Sequence, residues 1–331
     1  MIMREKIKSV PIPTAGVALG LAALGNLLAP YSEVVHYGCG LLSFFLAAML
    51  AAKMIMFPSM IRDDFKNSIL ASVSATFFMT LMQLAGYLAP FAIAPAFGLW
   101  CAAVVGHFGL MAWFTGNYIR RFQLKEVFPT YFICYVGIIV ASVTSPNFGM
   151  EALGSVIFWF GFVCYLVLLA VITARYLKHE IPEPARPLFC IYAAPMSLSL
   201  AGYLAVTSNP NPLFVAVLAV LAQALFALVL FHLPKFVALK FYPSYAAMTF
   251  PFVITATALG KALAALTAAG VAVPFLEAFQ VLAFVETAFA TFMVFYVFTH
   301  YMKFFFGTPK GHEVVEPAPV AMPVAIELDA E

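Results

Sequence analysis

From Asn67 to Ile119 the chain runs without a single Asp, Glu, Lys or Arg, and from Pro187 to Pro234 it does so again. A helix crosses the hydrocarbon core of a bilayer in roughly 20 residues. Each run therefore holds two crossings. The remaining charge is sorted around such runs. Sixteen of the 17 Lys and Arg residues fall in six clusters: Arg4/Lys6/Lys8, Lys53/Arg62/Lys66, Arg120/Arg121/Lys125, Arg175/Lys178/Arg186, Lys235/Lys240 and Lys303/Lys310. Between each cluster and the next there is room for two spans. Lys261 is the exception.

Composition agrees. Only 10% of residues are charged and 64% are hydrophobic. A soluble domain carries about 25% charged residues, so this chain cannot cover a water-facing surface. The net charge of +2 is spread by side of the membrane and describes no basic face. Nucleic acid is excluded as a partner, because no basic surface with interleaved aromatics exists. The first apolar run follows a basic stretch. It is too long for a signal peptide and opens the repeat described below, so it reads as the first span.

The pattern predicts an all-α integral membrane protein with ten spans at about 11–29, 36–57, 68–88, 91–116, 128–145, 151–175, 188–206, 212–233, 245–267 and 273–304. The spans are too long for a transmembrane barrel and lack its period-two alternation. Loops after the even spans carry the basic clusters, and those after the odd spans hold Glu33 and Glu151 at most. The positive-inside rule then puts both termini in the cytoplasm. Residues 1–10 are expected as a cytoplasmic N-terminus and 11–305 as the ten-span domain. The Pro-rich, acidic segment 306–331 is expected as a disordered cytoplasmic tail.

The odd spans open alike, each near a proline or polar residue just after a basic cluster: Pro11/Pro13, Asn67/Ser68, Pro129, Pro187 and Pro243. Proline suits the first turn of a helix, where its missing N–H is not needed. The recurrence every 55 to 60 residues reads as five helical hairpins in tandem. Five hairpins related by pseudo-rotation close into a ring with the odd helices inside and a central pore. The odd spans also hold the residues that soften a backbone: Gly16, Gly20, Gly137, and the candidate kinks Pro195 and Pro251. The third span departs from this. It has Ser72, Ser74 and Thr76 but no mid-span proline, which predicts an unevenly kinked inner ring.

LGLAALGN at 19–26, VGIIVAS at 136–142, APMSLSLAGY at 194–203 and TFPF at 249–252 resemble the tellurite-resistance/dicarboxylate transporter family, which includes the TehA-like bacterial proteins and the plant slow-type anion channels. The resemblance covers residues 8–305, with its motifs on spans 1, 5, 7 and 9. It implies a five-hairpin ring, a homotrimer with one pore per subunit, and anion conduction. It also implies a phenylalanine gate on the ninth helix, which falls on Phe250. Chloride, nitrate, sulfite, malate and tellurite-related anions are all substrates the resemblance leaves open. For a bacterial member it implies the inner membrane.

Aligning the hairpins on their opening residues gives Phe250 four small counterparts near Gly20, Ser74, Val136/Gly137 and Ala194. If these face one axis, they leave a channel that Phe250 fills, and a hydrophobic constriction gates by blocking or dewetting. Thr257 and Lys261 fall about 20° to either side of the Phe250 face, and Lys261 lies about 16 Å further along. Lys261 then either lines the outer pore mouth, concentrating anions there, or pairs with Glu277 at similar depth. Glu286 is a second ionisable residue within the spans.

Other residue types carry less. Cys39, Cys101, Cys134, Cys164 and Cys190 read as small buried hydrophobes. His36, His107, His232 and His300 form no ligand pair, so neither a metal nor another cofactor is expected. Gln83, Gln223 and Gln280 read as interhelical hydrogen-bond partners, and Tyr31, Tyr118 and Tyr242 as interfacial anchors. An enzyme would need a convergent cluster of His, Cys, Asp or Glu, and the sequence has none. A filled scaffold would prefer larger side chains at the matched inner positions. The sequence thus points to a passive anion channel gated by Phe250. The alternative is a proton-coupled carrier or exporter of C4-dicarboxylate or sulfite, linked to tellurite resistance.

Overall fold

The computed structural model of the chain describes residues 2–306, and the expected tail at 306–331 lies outside them after Phe306. The described residues form helices joined by short loops, with no strand among them. Ten positions in the fold are filled by α1 (Thr14–Leu28), α2 (Glu33–Met56), α3 (Ser68–Leu88), α4 (Ile93–Ile119) and α5, which is split into Thr130–Tyr135 and Ile139–Thr144. They continue with α6 (Glu151–Lys178), α7 (Glu183–Val206), α8 (Pro212–Val237), α9 (Pro243–Ala268) and α10 (Leu276–Phe306). Eight of these are long and apolar enough to cross a membrane. α1 is apolar but shorter, and α5 is divided. Short helices Ile2–Lys8 and Pro58–Asp64 lie outside the spans.

Helix starts follow local chemistry. Ser32 accepts from the Val35 N–H and caps α2. Asn67 caps α3 by accepting from Ile69 and Leu70, and Asn211 caps α8 ahead of Pro212 at its first turn. These side chains satisfy backbone donors that would otherwise be orphaned in a bilayer.

The odd helices form a closed cycle: α1 packs on α3, α3 on α5, α5 on α7, α7 on α9, and α9 back on α1. Each even helix lies outside, against two successive odd ones; α10 bridges α9 and α1. Burial separates the two sets. In α3, α7 and α9, 67%, 78% and 72% of the apolar window is buried, against 28–39% for the five even helices. The even helices expose Phe44, Val105, Val163, Phe231 and Phe292, as lipid-facing surfaces require.

Four of the odd helices are interrupted, and the fifth starts, near corresponding positions of the repeat. α1 starts at Thr14 after Pro11 and Pro13; α3 breaks at Ser74 and α5 at 136–138. In α7 a 3-10 coil (Glu183–Ala193) gives way to α-helix at Ala194, and in α9 another (Pro243–Met248) gives way at Phe250. Pro195 and Pro251 sit in the first turn of the new helices, so each break precedes its proline. The third span is interrupted despite having no proline, which corrects the expectation of an unevenly kinked ring. Three hydroxyls in sequence bond back to their own backbone: Ser72 to Ser68 O (2.6 Å), Ser74 to Ala71 O (2.6 Å) and Thr76 to Val73 O (2.6 Å). Such back-bonding competes with the helical ladder and bends helices. The fifth span, expected as one helix over 128–145, is split because Gly137 leaves the ladder; its N–H bonds Phe132 O at 3.0 Å.

Candidate functional site

The first halves of all five odd helices enclose one cavity of about 710 Å³. It opens at the end of the bundle that carries the basic clusters, where Lys8, Lys53, Asp64 and Glu183 line it. It reaches the level of the helix breaks, where its wall includes Gly16 and Leu19 (α1), Val73 and Thr76 (α3), Val136 and Gly137 (α5), Ala194, Pro195 and Leu198 (α7), and Phe250 and Pro251 (α9). Phe250 is the large side chain of α9 at this level and is only 6% exposed.

Sequence alignment of the hairpins brings several expected residues together here and misplaces others. Val136, Gly137, Ala194, Pro195, Phe250 and Pro251 line the cavity. Gly20 instead packs behind the wall: a Cβ there would lie 2.6 Å from the Thr249 Cβ and 3.2 Å from the Phe250 N. Gly16 is the small residue of α1 at the wall. Ser74 turns its hydroxyl to Ala71 O, and its neighbours Val73 and Thr76 face the cavity. Thr257 and Lys261 lie beyond Phe250, outside this cavity. Thr257 bonds back to Val253 O at 2.9 Å. Lys261 is exposed and forms no ion pair with Glu277; the pairs among the described residues are Lys53–Asp64 and Lys66–Asp63.

Near the breaks, threonine hydroxyls that bond their own backbone at 2.7–2.8 Å also reach a carbonyl of the neighbouring helix. Thr80 (α3) donates to Ala15 O of α1 at 3.1 Å, and Thr249 (α9) to Gly16 O at 3.1 Å. Thr255 (α9) reaches Ala193 O of α7 at 3.4 Å. On α5 the donor comes from outside the ring: His107 Nε2 of α4 lies 2.8 Å from Cys134 O. Hydroxyl pairs tie neighbouring odd helices at one level, Ser72 to Thr130 at 2.7 Å and Ser197 to Thr255 at 3.1 Å, each across 58 residues of chain. The tandem repeat is visible in that shared separation. Sequence reasoning missed Thr249 and His107. The only signals were a hydroxyl beside the TFPF phenylalanine and a lone histidine in an apolar span.

The mouth has its own polar contacts. Lys53, 4% exposed, donates to Val10 O at 2.7 Å and lies 3.6 Å from Asp64 Oδ2. Tyr242 donates to Glu183 Oε1 at 2.7 Å, and burial together with that carboxylate pushes its phenol above the usual range. No group of three His, Cys, Asp or Glu converges among the described residues.

A ring of helices around a largely apolar cavity is a geometry that suits a conduit. The family model for the voltage-dependent anion channel, SLAC1, matches residues 9–302. The chain belongs to this family. No curated protein matches it significantly. SLAC1-family membership makes it a multi-pass membrane protein of a channel and transporter class, consistent with the slow-type anion channel resemblance in its motifs. Anion passage across a membrane is the activity that membership supports.

Proposed function

We propose that each subunit is a small-anion channel whose conduction path is the central cavity and whose gate is Phe250. The observation that carries this reading is the convergence of four helix interruptions and the start of α1 on one cavity, with Phe250 facing Gly16, Val136, Gly137, Ala194 and other small or aliphatic residues at that level. It also supplies the electrostatics. α1 and the restarted segments of α3, α7 and α9 begin there with their N-terminal ends, where the helix dipole is positive. Partial charges of this kind favour an anion without trapping it, as conduction requires.

In this reading the cavity opens to the cytoplasm of a bacterial inner membrane, both termini lie on that side, and Lys261 stands at the opposite mouth. Chloride, nitrate, sulfite and malate are the candidate permeants, and three subunits assemble with one pore each. The test is flux of these four anions into proteoliposomes for wild type and Phe250→Ala, with and without a pH gradient. Removing a barrier of about 1.4 kcal/mol raises a rate about tenfold; a pH-independent rise of that order in Phe250→Ala is the expected result. No rise would remove Phe250 as the gate.

One observation favours the proton-coupled carrier of dicarboxylate or sulfite. Glu286 of α10 is 3% exposed, with Oε1 unpaired and Oε2 3.4 Å from Gln223 Nε2 of α8. Ionisable groups so placed often mark proton paths. Uptake driven by a pH gradient in wild type, abolished in Glu286→Gln, would establish that reading.

A further inference from the structure

Beyond Phe250 the ring has a second mouth, away from the cavity. α9 is buried over most of its span, and ahead of its exposed last turn the accessible positions are Thr257, Gly260, Lys261, Ala264 and, in part, Ala265. α8 and α10 cover its back, and α1 and α7 flank it. With Phe250 on the cavity wall, Thr257 and Lys261 fall about 20° to either side of the same face. Both therefore look into the ring. The Lys261 ammonium makes no hydrogen bond or ion pair among the described residues.

Three amides stand at the same end. Asn26 Nδ2 at the end of α1 donates to Gln83 Oε1 on α3 at 2.7 Å, across 57 residues of chain. That bond leaves Gln83 Nε2 with no protein partner among the described residues. One turn further along α3, Gly86 supports Asn147 from the turn after α5; a Cβ at Gly86 would lie 2.8 Å from Asn147 Nδ2. Asn147 is exposed, and its amide has no hydrogen bond among the described residues. Counted from Gly16, Ser74, Ala194 and Phe250 at the level of the helix breaks, Asn26, Gln83, Leu204 and Lys261 lie about 10 residues further on, so they occupy a similar level of the repeat. The carboxylates at this end, Glu33, Glu151 and Glu277, all sit in the first turns of even helices, outside the ring.

We infer that Asn26, Gln83, Asn147 and Lys261 form an outer binding site for a small, partly hydrated anion of halide or nitrate size. Lys261 draws the anion to the mouth through its charge. The amide N–H groups replace part of its hydration shell before it meets Phe250. The inference rests on the central path proposed above, but it concerns a binding step that can be measured apart from gating.

The experiment uses Phe250→Ala protein in planar bilayers, with chloride or nitrate on one side at a time. Adding Lys261→Gln is expected to lower anion current entering from the Lys261 mouth by about threefold or more at low salt. The loss should shrink as ionic strength rises, because salt screens an exposed charge. Lys261→Arg should restore the current. Gln83→Leu should keep the salt dependence and change the chloride-to-nitrate permeability ratio. An equal effect of Lys261→Gln from both sides, or none from either, would overturn the site. If Phe250→Ala conducts no better than wild type, the gate fails by itself. The site is then judged on nitrate-dependent thermal stabilisation of wild-type protein in detergent: its loss in Lys261→Gln supports the site, and its absence in wild type or persistence in the variant rejects it.

Discussion

Thr249 Oγ1 donates to the carbonyl of Gly16 at 3.1 Å, which fastens the residue before Phe250 to the first helix of the ring. The same hydroxyl bonds Ala246 O at 2.7 Å, and the Thr249 backbone sits at φ −112, ψ −89, outside the helical region. Gly20 makes the approach of α9 to α1 possible, because any Cβ there meets Thr249. The start of the α9 helix, and with it Phe250, is thus set by a contact between the first and last inner helices.

Gly20→Ala is therefore expected to destabilise the protein by about 1–3 kcal/mol, as overpacking of a close contact does. Of the three atoms its Cβ meets, two belong to the short, bonded Thr249 side chain and the third is the Phe250 backbone N, so there is little room to yield. Thermal unfolding in detergent measures this. The substitution should also raise basal anion flux by displacing Phe250. A variant with wild-type stability and flux would show that the contact does not hold the gate segment.

The α5 break makes a second prediction. His107 is fully buried, and its Nε2 serves the Cys134 carbonyl at 2.8 Å. His107→Leu leaves that carbonyl unpaired in an apolar setting, which costs roughly 1–3 kcal/mol. His107→Gln keeps a donor and should recover part of the loss. Equal melting temperatures for His107→Leu and wild type would mean the carbonyl finds another partner.

Much of this architecture is legible in the sequence, and the reason is electrostatic. Charge is so costly in a bilayer that Lys53 to Lys66, Arg120 to Lys125 and the other clusters mark the loops directly. The helix breaks are less legible. Pro195 and Pro251 announce two of them, but Ser74 breaks α3 through hydroxyl back-bonds that need neighbouring Ser and Thr side chains to turn inward. Hairpin alignment places Gly20 on the inner wall, whereas Gly16 and Leu19 line the cavity there. A few residues of register, invisible without the helix start at Thr14, rotate one glycine from the lumen to the interface. The burial of Lys53 was equally hidden, because a basic residue near a span end ordinarily reaches water.

Lys53 carries the third prediction. Its ammonium joins Val10 O to Asp64 and so ties the entry of α1 to the Pro58–Asp64 helix across the cavity mouth. Truncating one partner of a buried pair costs about 3–5 kcal/mol; the 30% exposure of the Asp64 side chain puts Lys53→Met at the lower end. Proteolysis of the N-terminal segment should accelerate in the same variant. The contrasting pair, Lys66 with Asp63 at 2.8 Å, has side chains 65% and 69% exposed. Lys66 holds Asp63 below the usual carboxylate range, so whatever it contributes is present above that range and lost in acid. Lys66→Gln is expected to melt with wild type at neutral pH.

Glu286 separates the two transport readings. Its single donor is Gln223, and one turn along the same two helices lie Phe226 and Phe289, which pack on Phe252 of α9 with ring centroids 5.8 Å and 5.4 Å away. The carboxyl is therefore behind α9 and not on the cavity wall. Glutamine at 286 preserves the shape and can still bond Gln223. If anions pass through a channel gated by Phe250 alone, Phe250→Ala/Glu286→Gln should conduct as Phe250→Ala does, with or without a pH gradient. If transport is coupled to protons, wild type should take up one substrate down a pH gradient and Glu286→Gln should lose that uptake while keeping its thermal stability. Retained stability matters, because a misfolded variant would lose uptake under either reading.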